Sequence, residues 1–537
     1  MSRFSARSAT WLATAVCITL GVACAGDDAT DDAEDGFVVE DGKADDFLSV
    51  KAKEFIVQGT SQVTVEAGQG IERAKKLIML KHVATTWFLN QYLLDKEKGG
   101  EEGDPNWAYG GFSAMVKDGA FEDLNLTQVN GTTWQFTFKQ TIAGKKNLMS
   151  KLGLNAHGEF TMEVGKPTND EMEHDIEWYR KDPWNAWDPS KVAESKKESL
   201  TLAVMPDKVS TDGWWDYKRL FEDGKLTVDV HFGWDYNTAK AHLVDSKAFY
   251  TWLLGKGFKS PVSTWDKYSR TSGPLTKTID ANGKNVKVEV RIFYPRPGSS
   301  TDPDTDAGGK QLEADMFSSL SDRDVIVYSG HSGSMYGFAL ANWDKTDEGD
   351  VDDLELKKAK LAQGKYQIVF AEGCNTYMLG NDLLQNPNKQ GKDIDVITTT
   401  SFSVSYSPVE DFLGRMLELD SQSRLRPRTM TQTLEDLDLY SVGEPSPTMY
   451  GIHGIDDNPK LHPFANLENS CKSCSANAAC GGVGNACVTV GSTGRRCVAA
   501  CTDDSACGTG YKCKAVASAA SQTIYGSFCV PSNSRCE

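Results

Sequence analysis

After its first two dozen residues the chain has no apolar run near the ~20 residues that a membrane-spanning helix needs. It has no surplus of positive charge: 57 Lys and Arg face 75 Asp and Glu, for a formal net charge of −18. Binding to nucleic acid driven by phosphate contacts is thereby excluded. It has no internal repeat of about 20–50 residues, which excludes a solenoid or a propeller. Between Cys24 and Cys471 it has one cysteine, Cys374, so no disulfide framework spans the middle of the chain. What remains is ordinary globular material. The 537 residues suit two to four domains, and 39% apolar with 10% aromatic residues suffice for conventional cores.

The first residues read as an export signal. Arg3 and Arg7 form a positive start, and Ala9 to Ala23 is an apolar run of leader length. Gly21-Val22-Ala23-Cys24 reads as a lipoprotein cleavage site with Cys24 as the lipidated residue, giving an outer-membrane anchor. Ala23-Cys24-Ala25 also fits soluble release to the exterior. From Gly26 to Phe47 there are ten acids against Lys43 alone, net −9, half the charge of the whole chain. Such a segment cannot bury a core and reads as a solvated tether. The expected layout is a leader over 1–24, this tether over 25–47, an α+β domain over 48–206, an α/β domain over 207–465 and a disulfide-rich module over 466–537.

The last of these rests on ten cysteines: Cys471, Cys474, Cys480, Cys487, Cys497, Cys501, Cys507, Cys513, Cys529 and Cys536. An even set in an exported segment of low apolar content predicts up to five disulfides in place of a core. Zinc is the competing reading of Cys471-Lys-Ser-Cys474, but the segment has neither histidine nor a second matching pair. The module carries six basic and three acidic residues from Cys471 onward, the reverse of the chain as a whole.

In the α+β domain, Ile71 to Leu94 has helical spacing, and Trp134–Phe138 and Phe160–Val164 alternate as half-buried strands. The Trp-, Pro- and Asp-rich stretch Trp178–Trp187 reads as loop anchoring, with sugar stacking as the alternative. From about Leu226 the rhythm changes. Leu226–Val230 and Val286–Ile292 alternate, and three compact apolar runs follow at Val325–Tyr328, Tyr366–Ala371 and Val396-Ile397, separated by helical stretches. Short apolar runs between helices are how buried parallel strands look, so an α/β fold with a mostly parallel sheet is expected. Ser407-Pro408-Val409-Glu410 opens a further helix as a capping box.

Working residues in such sheets sit beyond the C-terminal strand ends. Two ends carry a reactive side chain on a glycine-flanked turn: Ser329-Gly330-His331-Ser332-Gly333 and Ala371-Glu372-Gly373-Cys374. If the two strands are neighbours, an imidazole emerges beside a lone thiol. A free thiol with a pKa near ~8.5 is mostly protonated at neutral pH, so it needs a base to become a nucleophile. The same imidazole can then protonate a leaving amine. The backbone N–H groups of Cys374 and of Gly333, or Ser332 in its place, are the candidate oxyanion donors. His231 follows a strand-like segment and receives no role; His453, in Gly451-Ile452-His453-Gly454, is a rival base, but no apolar strand precedes it. Asp302, Asp304 and Asp306, before Gly308, and the acid-rich stretch Asp344–Glu355 lack EF-hand spacing and read as solvated loops, with stabilising calcium as the alternative. No cofactor or catalytic metal is expected.

The two strand ends resemble the caspase-like cysteine peptidases, the group that includes caspases, legumains, gingipains and clostripain-like enzymes. In that pattern an apolar strand ends in His-Gly and a later one in Ala-Cys. Here Ser332 follows the histidine and Gly373 precedes the cysteine, and the two lie 43 residues apart, near the roughly 50 of caspases. The resemblance covers about Leu226 to Tyr440. It implies an endopeptidase with His331 as general base and acid, Cys374 as nucleophile, a protein or peptide substrate, and selectivity for one residue before the scissile bond. The acidity of the chain points to a basic residue there. The alternative is a non-catalytic surface adhesin with a degenerate peptidase-like scaffold and the cross-linked tail as its contact module.

Overall fold

A computed structural model describes residues 47–97, 114–116, 122–174, 178–185, 187–208, 210–234, 241–333, 337–389, 391–400, 403, 408–439, 449–517 and 524–536. The leader, the acidic tether up to residue 46, Cys24 and Ser407 lie outside the described residues. The chain forms two compact units: one is Ala52–Asp207, and the other joins the short segment ending at Lys51 to Lys208–Glu537.

The first unit is an antiparallel sheet and a 27-residue helix, Ile71–Glu97. Ala52–Thr64 and Thr133–Lys145 pair along their whole length, and Glu159–Gly165 and Lys197–Pro206 extend the sheet on one side. Ala74, Leu77, Ile78, Phe88, Leu89 and Leu93 bury one face of the helix. The tryptophan-rich stretch packs there. Trp178 and Trp184 are buried, Phe88 lies 4.7 Å from the Trp187 ring, and Trp87 Nε1 donates to the Trp184 carbonyl at 3.1 Å. These rings are core anchors, and Trp178 and Trp184 present no stacking surface for a sugar.

The second unit is built on an eight-stranded sheet in the order Leu48–Ser49, Tyr450–His453, Ile394–Thr399, Gln367–Glu372, Val325–Ser329, Lys225–Phe232, Lys284–Phe293, Leu275–Ala281. The five strands from Ile394–Thr399 to Lys284–Phe293 are parallel, and the three outer ones are antiparallel to their neighbours. Successive residues of the inner strands enter two different cores. Val325 and Val327 join Phe249, Leu253, Phe412, Met416 and Leu434 on one face. Ile326 and Tyr328 join Leu312, Met316, Leu320, Leu379 and Leu383 on the other. Burial on both faces explains why Val325–Tyr328 and Tyr366–Ala371 read as continuous apolar runs.

The outer strands are the part the sequence reading missed. Leu275–Ala281 turns back into Lys284–Phe293 through Asn282-Gly283, both at positive φ (55° and 86°), a two-residue hairpin turn whose Asn-Gly signature is present in the sequence. Leu48–Ser49 pairs with Ile452 and Gly451 and so belongs to this sheet.

The C-terminal segment belongs to the same compact unit. Its ten cysteines form five disulfides: Cys471–Cys536, Cys474–Cys487, Cys480–Cys497, Cys501–Cys513 and Cys507–Cys529. Cys471 and Cys474 belong to different bridges, which leaves no CxxC thiolate pair for zinc. The module meets the sheet layer through the His462 N–H, which donates to the Ala500 carbonyl at 3.0 Å, and the Thr502 N–H, which donates to the Lys460 carbonyl at 2.9 Å. Replacing both Cys480 and Cys497 by Ser removes a link of sequence separation 17. The expected loss is about 3 kcal/mol of local stability, read as earlier cleavage within 471–536 in limited proteolysis. A wild-type digestion pattern would show that this bridge contributes nothing.

Candidate functional site

The site is set by one strand pair. Val325–Ser329 and Gln367–Glu372 run parallel with Ser329 opposite Glu372. His331 lies two residues beyond Ser329 and Cys374 two residues beyond Glu372, so the two residues follow their strands at equivalent positions in the register. The pairing continues past the strand ends. The Gly330 N–H donates to the Glu372 carbonyl at 3.3 Å, and Ser332 Oγ donates to the Cys374 carbonyl at 2.7 Å. The approach is close enough to require glycine. A Cβ on Gly373 would lie 2.2 Å from Ser332 Oγ and 2.7 Å from the Gly330 carbonyl oxygen, and one on Gly330 would lie 2.7 Å from the Tyr328 hydroxyl.

The turn that carries the cysteine is pinned by two threonines. Thr376 Oγ1 donates to the Ala371 carbonyl at 2.7 Å, and Thr399 Oγ1 donates to the Gly373 carbonyl at 2.6 Å. Asn375 takes a left-handed conformation, φ 57°, and the helix Tyr377–Leu384 starts two residues later.

Cys374 is the one free cysteine among the described residues and is half-buried. Its Sγ lies 3.9 Å from the Ser403 carbonyl oxygen. Burial pushes the thiol up to about 11, and the charge of Glu372 acts in the same direction. The resting thiol is therefore protonated at neutral pH, and any nucleophilic role requires a base or a change of surroundings. Glu372 is itself buried and its carboxyl is raised by that burial. It accepts hydrogen bonds from Ser329 Oγ, at 2.7 Å, and from Ser403 Oγ. Thus one carboxyl ties together the strand that delivers His331, the strand that delivers Cys374 and the segment after the next strand. The charge of Asp245 acts on Glu372 in the same direction as its burial, and burial raises Glu410, which also feels Asp245, to about 7. The sequence reading passed over Glu372, Ser403, Thr376 and Thr399. Only Glu372 had a signal: a carboxylate closing an otherwise apolar strand.

Gly333 enters a small antiparallel hairpin opposite Gly337 and is buried there. His231 is sealed in the core with Nε2 2.9 Å from Ser319 Oγ, and burial lowers it to about 3. His453 does close a strand, Tyr450–His453, contrary to the sequence expectation. It is fully buried, with Nε2 3.0 Å from Thr398 Oγ1, and is no rival base. The acidic stretch before Gly308 is an ordered helix start. Asp302 accepts from the Gly298 N–H, Asp304 from Asn342 Nδ2, Asp306 from Thr346 Oγ1, and Thr305 caps the helix Asp306–Asp322. Among the described residues, metal-like convergence of three ligand atoms occurs only at Cys474, Cys480 and Cys497 and at Cys501, Cys507 and Cys529, all of them in disulfides.

No protein-family model, curated protein or solved structure matches this chain.

The charge account of the thiol is open to measurement. In the folded protein Cys374 is expected to react slowly with iodoacetamide at neutral pH and faster as pH rises. Glu372→Gln removes a negative charge that raises the thiol, so alkylation at mildly alkaline pH should become severalfold faster. An unchanged rate in a folded variant would refute the assignment of that charge to Cys374.

Proposed function

We propose that the protein is an exported cysteine endopeptidase of caspase-like type, in which Cys374 attacks the scissile carbonyl and His331 moves the proton. The observation that carries this reading is the equivalent placement of His331 and the free Cys374 beyond the C-terminal ends of two adjacent parallel strands. The thiol gives its proton to the imidazole as sulfur bonds to carbon, and the C–N bond then breaks as the imidazolium protonates the leaving amine. Water hydrolyses the resulting thioester and restores the thiol. The five disulfides suit an oxidising compartment, in keeping with export. Anchorage through a lipid on Cys24 belongs to the same proposal.

The charge around the thiol favours a basic residue before the scissile bond. Glu372, beside the thiol, and Asp245, whose charge acts on Glu372, supply the negative charge there. A bound cationic side chain offsets the Glu372 charge and thereby makes the thiol easier to ionise. One observation favours the second reading, a non-catalytic surface protein: the resting thiol is held protonated. The two separate cleanly. Incubated under mildly reducing conditions with peptide amides ending in Arg, Lys, Asp or Asn, the processed protein is expected to hydrolyse the Arg and Lys substrates. Cys374→Ala and His331→Ala are each expected to lose on the order of 10³-fold in kcat. Silence on all four substrates, indistinguishable from Cys374→Ala, would leave the second reading in place.

A further inference from the structure

The residues just before the first unit make a strap across the far edge of the catalytic sheet. Leu48 and Ser49 pair antiparallel with Ile452 and Gly451. Ser49 Oγ donates to the Tyr450 carbonyl at 2.6 Å, and Lys51 Nζ donates to the Asp438 carbonyl at 3.1 Å. The strap carries one large side chain, Phe47, which is 6% exposed although it directly follows the most acidic stretch of the chain. Its ring stands edge-on to Tyr377, centroids 5.4 Å apart, and 4.9 Å from the His453 ring, while Tyr377 and His453 lie 5.1 Å from each other. The socket is shaped for this ring. A Cβ on Gly451 would fall 2.1 Å from Phe47, and one on Gly380 would fall 2.6 Å from His453.

Tyr377 is the first residue of the helix that follows Cys374-Asn375-Thr376. His453 meets Thr398, the neighbour of the Thr399 that pins the Gly373 carbonyl. The Phe47 socket therefore borders both supports of the cysteine turn, the helix on one side and the Thr398-Thr399 strand on the other. A void at Phe47 lets Tyr377 and His453 shift, because packed side chains that lose a neighbour relax into the space. That shift moves Cys374 relative to Ser403 and Glu372, the groups that surround its sulfur.

We infer that Phe47 is a positioning residue for Cys374, acting through Tyr377 and the pinned turn. The end of the acidic tether is in this way part of the catalytic framework. The inference rests on the peptidase reading for its effect on turnover, and its effect on the thiol is independent of that reading.

The test uses the full processed chain carrying Phe47→Ala, Phe47→Leu, which keeps most of the apolar volume, or Gly451→Ala, which crowds the ring out of its socket. Two quantities are read: the pH profile of Cys374 alkylation, and kcat and KM on the peptide amides. The expected result for Phe47→Ala and Gly451→Ala is a displaced alkylation profile and a kcat lower by about 10–100-fold, with KM within about threefold of wild type. Phe47→Leu is expected to return both toward wild type. If Phe47→Ala fails to fold, Gly451→Ala against wild type carries the same comparison. A folded variant with an empty or crowded socket and an unchanged profile would overturn the inference and leave the strap as a mere structural latch. A displaced profile in a protein that hydrolyses none of the substrates would uphold the positioning of the thiol and reject the peptidase.

Discussion

The register between Val325–Ser329 and Gln367–Glu372 is the constraint on which the rest of the site depends. A parallel pair fixes each residue opposite a partner, and burial on both faces removes any freedom to slip, since a one-residue shift would turn Val325 and Val327 out of one core and Ile326 and Tyr328 out of the other. Once Ser329 faces Glu372, the next residues have little choice. Gly330 and Gly373 allow the two turns to touch, and His331 and Cys374 each follow two residues beyond the facing pair. The hydrogen bond from Ser332 Oγ to the Cys374 carbonyl continues the match beyond the last ladder bond.

Perturbed titration occurs at both ends of this sheet and means something different at each. At the N-terminal end, Asp395 is fully buried and raised to about 8, and its Oδ2 accepts from Tyr366 Oη and from Asn458 Nδ2. Lys389, lowered to about 7 by burial, donates to the Ala362 carbonyl at 2.7 Å and to the Asp393 carbonyl at 3.3 Å. These groups tie strand entrances to the loop that leads into the disulfide module, and among the described residues no free cysteine adjoins them. At the C-terminal end Glu372 is raised by the same cause, but a free thiol lies two residues away. Desolvation alone therefore does not mark a reactive centre; the neighbouring side chains decide.

The parallel strands were legible in the sequence because both of their faces are buried, so Val325–Tyr328 and Tyr366–Ala371 stand out as unbroken apolar runs. The His331 and Cys374 positions were legible for a related reason: glycines interrupt those runs just where the strands stop. The antiparallel edges were not read. Tyr450–His453 is four residues long and contains a glycine, and Leu48–Ser49 is two residues at the end of an acidic stretch, so neither has a periodicity of its own. Their pairing comes from tertiary contact, above all the Phe47 ring over Gly451. Glu372 was passed over because a single acid at a strand end is ordinarily solvated. Here Ser329 and Ser403, 74 residues apart in sequence, converge on it only after the sheet has formed.

The course of the chain has a further consequence. It contributes the Leu48–Ser49 strand to the eight-stranded sheet, then runs through the whole of Ala52–Asp207 before returning for Lys225–Phe232. Where that excursion starts and finishes, the two ends lie side by side: Phe55 pairs with Pro206, and the Asp207 N–H donates to the Glu54 carbonyl at 3.1 Å. A polypeptide entering and leaving a fold through adjacent residues behaves as a cassette. Such a cassette can be lengthened, exchanged or shed over evolutionary time without changing the order in which the surrounding sheet is assembled.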